Sequence, residues 1–179
     1  MAELPTDDDL GRLSQRGLVC LVSHAVYLVR ECFVSPDDLG IGHAAHTAHE
    51  FASDTTIHEA DLSRRLKEAS DCLDFSTKAL GRSVLDENRK HAATSVLNAA
   101  KETIKTVKLV GSGKFTEATK IAEKAIRSAG DAATAGGRGQ EFVDLISEAT
   151  KALSTSSWEQ LPGWRGDTLR WFEEPGPSA

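Results

Sequence analysis

Residues 56–81 read TIHEADLSRRLKEASDCLDFSTKALG, and this stretch decides the fold. Leu62, Leu66, Ala69, Leu73, Ser76 and Leu80 recur at alternating spacings of four and three, the period of one helix face. Thr56 with Glu59 fits a capping box at the start, and Gly81 stops the pattern. Charged residues fill the intervening positions. The spacing predicts an amphipathic helix that needs apolar neighbours on one side.

Working outward, the same period recurs on both sides. Toward the C-terminus, Leu85, Ala92, Val96, Ala99, Thr103, Val107 and Val110 form a stripe over a helix expected from Val84 to Val110. Gly111-Ser112-Gly113 interrupts it. Phe115, Ala118, Ala122, Ala125 and Ala129 predict a further helix, with Gly130 and then Gly136 to Gly139 marking a turn. Phe142, Leu145, Ala149 and Leu153 predict the last helix of the bundle. Toward the N-terminus, Asp7 to Asp9 are an acidic start. Leu10, Leu13, Gly17, Leu21, His24, Leu28 and Cys32 then share a face. Beyond Leu18 the other side is apolar as well, which predicts the most buried helix, with His24 a core histidine. Ser35-Pro36-Asp37-Asp38 predicts a restart leading to a helix from about His43 to Ala52.

No alternating segment with hairpin chemistry is present. Long helices joined by short glycine-marked turns predict an all-α, antiparallel up-and-down bundle of five or six helices. The expected organisation is a bundle domain over residues 1–157 and a C-terminal docking segment over 158–179, disordered near Pro175-Gly176-Pro177.

Composition agrees. The chain has 179 residues, 40% hydrophobic and only 6% aromatic, so alanine and aliphatic side chains must build the core. The acidic opening MAELPTDDDL lacks the basic and apolar pattern of a secretory leader. The longest apolar run, Leu18 to Val29, falls short of the roughly 20 residues a membrane span requires. Three cysteines without CxxC spacing disfavour a disulfide framework or zinc knuckle, so a cytoplasmic location is expected.

Four features carry functional expectations. The first is the tryptophans: Trp158, Trp164 and Trp171 all lie in the last 22 residues, with Phe172 beside the third. Tryptophan offers large apolar area with few torsions to freeze, so this segment is expected to dock on its own bundle, on another copy or on a protein partner. The second is charge. The net charge is −6, yet residues 61–130 alone carry +5. Lys101, Lys105 and Lys108 align on one helix, and Lys120, Lys124 and Arg127 on the next. If the two helices are antiparallel neighbours, the stripes join into a patch for phosphates or an acidic partner.

The third feature is His43, His46 and Glu50, which share a helix face and supply two imidazoles and a carboxylate for zinc or iron. Ala44, Ala48, Phe51 and Ala52 form the apolar side of that helix, which equally fits solvated histidines. Fourth, Gly113 to Ile126 resembles the second helix of a tetratricopeptide-type hairpin, although no 34-residue repeat accompanies it. GSGK at 111–114 lacks the remaining P-loop residues, and a helix rather than a strand precedes it.

No nucleophile constellation, paired acid and base or cofactor motif is legible, and no cofactor is expected. The leading expectation is a non-catalytic interaction protein: a small subunit, adaptor or regulator in a larger assembly. The alternatives are a metal-dependent helical-bundle enzyme using His43, His46 and Glu50, and a nucleic-acid accessory protein using the basic face of residues 101–127.

Overall fold

In a computed structural model of the chain, the described residues are 2–30, 59–82 and 85–155. They form six helices and, among these residues, no strand. The helices are α1 (Asp7–Gly11), α2 (Gln15–Val29), α3 (Glu59–Gly81), α4 (Glu87–Gly111), α5 (Phe115–Ala135) and α6 (Gly139–Thr155). The all-α bundle expected from the periodicity is the observed architecture.

The chain enters through a capping box. Thr6 Oγ1 accepts from the Asp9 amide, and the Asp9 carboxylate accepts from the Thr6 amide. The sequence reading ran one continuous stripe from Leu10 onward. The structure instead ends α1 at Gly11 and restarts at Ser14, whose hydroxyl accepts from the Gly17 amide. Ser14 competes for backbone amides as an N-cap does, and this breaks the helix without breaking the apolar face. Leu10 and Leu13, on either side of the break, are both buried.

Helix α2 is the central element, buried at nearly every position and packed on α4, α5 and α6. His24 lies fully inside it. Helix α3 packs on α4, burying Leu62, Leu66, Ala69, Leu73 and Leu80. Asp86 caps α4 by accepting from the Arg89 amide, so the helix begins at Glu87 rather than at Val84.

The most extensive packing joins α4 to α5. The buried side of α5 is Ala118, Ala122, Ala125, Ala129, Ala132 and Ala133, with Ile126 the one large side chain among them. Short side chains let neighbouring helix axes approach closely. The buried threonines Thr103 and Thr119 donate to carbonyls of their own helix, at 2.8 Å each, so the seam carries no orphaned hydroxyl there. Gly113 and Gly137 adopt positive φ, 76° and 78°, and close the turns after α4 and α5. Gly130, expected at a turn, is instead inside α5. Leu4 and the Phe142 ring of α6 lie 3.4–3.7 Å from where its side chain would begin.

Candidate interaction surface

Two hydrogen bonds fix how α4 lies against α5. Ser128 Oγ donates to Glu102 Oε1 at 3.1 Å, and Asn88 Nδ2 donates to the Ala135 carbonyl at 2.8 Å. One is partway along the pair and the other is at its far end. The partner's number rises as the first falls, so the helices run antiparallel throughout. The condition for joining the two basic stripes is therefore met.

Lys105, Lys108, Lys120, Lys124 and Arg127 are exposed, and Lys101 is half-buried. The stripes meet around Glu102, which the sequence reading did not single out. Burial between the helices pushes the Glu102 carboxyl above its usual range. The Ser128 hydrogen bond, then the Lys105 and Lys124 charges, pull it partway back. Lys105 belongs to α4 and Lys124 to α5, so one cation from each stripe acts on the same carboxylate. Glu102 Oε2 is buried and, among the described residues, has no hydrogen-bond partner. The only signal in the sequence was a lone acid beside Lys101 and Lys105.

Arg127 is less free than the lysines, because it pairs with Glu123 at 3.4 Å. Glu123 also accepts from the Asp7 amide, tying the start of α1 to α5. With Arg127 largely in water, such an i,i+4 pair contributes little to stability, about 0.3–0.5 kcal/mol.

On the other side of α4 an open groove of about 240 Å³ separates it from the C-terminal end of α3. Leu80 and Leu97 form its floor, and Lys90 and Lys101 stand on its walls with Thr94 and Asn98. A second groove, about 280 Å³, runs between the N-terminal segment and α6, where Glu3, Asp9, Arg12 and Lys151 mix both signs of charge. Phe75 on α3 is 63% exposed, the one large apolar side chain left so among the described residues.

Trp158, Trp164, Trp171 and Phe172 lie outside the described residues, as do His43, His46 and Glu50. Among the described residues no three His, Cys, Asp or Glu side chains converge on a metal-sized site. No helix among them is long and apolar enough to cross a membrane. The class of protein that the fold and this surface define is an all-α antiparallel bundle in which exposed cations of one hairpin, α4 and α5, face water. Comparison with known protein families, with curated proteins and with solved structures finds no significant match to the chain.

Proposed function

We propose that this chain is a non-catalytic helical interaction protein, a small subunit, adaptor or regulator, that offers the basic face of α4 and α5 to an acidic protein partner. The observation that carries this reading is the meeting of Lys105 and Lys124 around Glu102, which makes one surface of two stripes. A packed hairpin fixes the backbone positions from which the cations project, so a partner's carboxylates meet an array with preorganised anchor points.

A discrete acidic partner suits this face better than nucleic acid. Glu102, Glu117 and Glu123 interrupt the cations, and the chain as a whole carries −6. A long polyanion feels the whole field of the protein, whereas a short acidic surface reads the patch alone. The tryptophan segment, residues 158–179, is proposed as a second contact, to a partner or to another copy.

The test is parallel affinity capture from native extract with the parent chain and with the Lys105→Glu/Lys124→Glu variant. The expected result is a stoichiometric protein partner held by the parent and lost by the variant, with matching circular dichroism melts. Equal capture by both chains, or capture abolished by nuclease, overturns the reading. Stoichiometric zinc or iron in the purified chain would instead favour the metal enzyme.

A further inference from the structure

We infer that the groove between α3 and α4 is a docking subsite for an extended acidic peptide segment, one with two acidic residues four positions apart and an apolar residue midway between them. The inference deepens the proposed function by naming the chemistry of the partner segment, and it rests on that reading.

The groove has an aliphatic floor and a cation at each end. Leu80 and Leu97 are almost completely buried, at 8% and 2% exposure, so they present only their outer edges. A half-buried lysine typically lays its apolar stem on the protein and keeps its ammonium group in water. Lys90 and Lys101 are half-buried and both line the groove. Among the described residues neither is in an ion pair, unlike Arg64, Lys67, Arg89 and Arg127 on the same three helices. Thr94 and Asn98 between them add a hydroxyl and an amide able to bond a peptide backbone.

Size and spacing select the occupant. A helix docks through several anchor side chains, more than about 240 Å³ holds. The same space accepts one aliphatic side chain. Lys90 and Lys101 are eleven positions apart on α4, about 16 Å at 1.5 Å per residue. In an extended chain, residues four apart are separated by about 13 Å, and flexible lysine side chains close the difference. Alternate residues of an extended chain share a face, so positions one, three and five all point into the groove. An acidic, any, apolar, any, acidic pattern therefore places its carboxylates at the two lysines and its apolar side chain over Leu80 and Leu97.

The probe is a fluorescein-labelled peptide with the core Glu-Ser-Leu-Ser-Glu, titrated into the full chain and read by anisotropy. Two control peptides replace both glutamates by glutamine, or the leucine by serine. Saturable binding is expected. Lys90→Glu, Lys101→Glu and either control peptide should each weaken it by about fivefold or more, roughly 1 kcal/mol. Thr94→Trp, which fills the groove without changing charge, should abolish it. Lys105→Glu and Lys124→Glu, outside the groove, should weaken it less than about twofold. Circular dichroism melts check that each variant remains folded.

Equal sensitivity to all four charge reversals would show general attraction to the basic face. That result overturns the groove assignment while the proposed function stands. Binding unaffected by Thr94→Trp, or none up to about 1 mM peptide, also overturns it. Loss of the native partner on Lys105→Glu/Lys124→Glu tests the wider face separately, so the two failures are distinguishable.

Discussion

Ser128 holds one oxygen of Glu102 across the α4–α5 seam at 3.1 Å, and the other oxygen is buried and, among the described residues, without a hydrogen bond. Burial therefore raises the Glu102 pKa above its ordinary 4.5, although Ser128, Lys105 and Lys124 oppose the shift. A carboxyl whose folded pKa is raised binds its proton more tightly in the folded chain. Its contribution to stability is present below the unfolded pKa and is lost as pH rises through the folded value. Glu102→Gln removes that dependence while retaining an acceptor for Ser128. The variant should melt about 1–2 °C above the parent at pH 7, a small shift because the site is half-exposed. The gap should close as pH falls through the raised folded value toward 4.5, and stay closed below it. A variant melting below the parent at pH 7 would show that the two lysines outweigh burial.

Gly130 inside α5 and Gly139 at the start of α6 should respond in opposite directions to alanine. At Gly130 an added methyl meets Leu4 and Phe142 at 3.4–3.7 Å, ordinary contact distances, inside a helix that glycine disfavours. Gly130→Ala should stabilise the fold by about 0.5–1 kcal/mol. At Gly139 the methyl would lie 2.6 Å from Thr134 Oγ1 and 3.3 Å from its Cα. Gly139→Ala should destabilise by about 1 kcal/mol or more, because backbone must move. Urea unfolding of both variants checks the pair. Destabilisation by Gly130→Ala would mean that Phe142 has no freedom to shift.

Cys20 and Cys72 should differ sharply in reactivity. Burial pushes the Cys20 thiol up to about 12, and its side chain is 1% exposed, whereas Cys72 is half-buried on α3. The thiolate is the reactive form, so native protein treated with a thiol reagent should label Cys72 and spare Cys20 until unfolding. Peptide mapping of the labelled chain reads this directly. Comparable labelling of both residues would place α2 nearer the surface than described.

Leu66→Asp and Leu97→Asp should each unfold or nearly unfold the domain. Both side chains are 2% exposed, so either substitution places a carboxylate in the apolar core. Truncation to alanine is milder, about 2–5 kcal/mol. An aspartate variant that melts like the parent would reassign the face of α3 or α4 concerned.

The helices were legible because each buries one face, and the three-four spacing records that face in the chain. Leu62 to Leu80 is the clearest instance, and its end at Gly81 matched. What misled was local chemistry. Gly130 resembles a helix stop until Phe142, twelve residues later, is known to lie over it. Ser14 caps a helix inside a stripe whose apolar period continues across the break. The basic stripes were legible as stripes. Glu102 was not, because its burial and its two lysine neighbours come from packing α4 on α5, and helical periodicity records only which side of one helix faces inward.

The alanine seam fixes more than proximity. With side chains this short, the two rods have no long torsions to turn and little room to slide. Lys101, Lys105 and Lys108 on one rod and Lys120 and Lys124 on the other are then graduations on a stiff ruler, their intervals set by backbone rise. A binding surface of that kind discriminates by spacing. A partner whose charges fall at intervals beyond the reach of the lysine stems must deform itself, since the ruler does not bend to meet it.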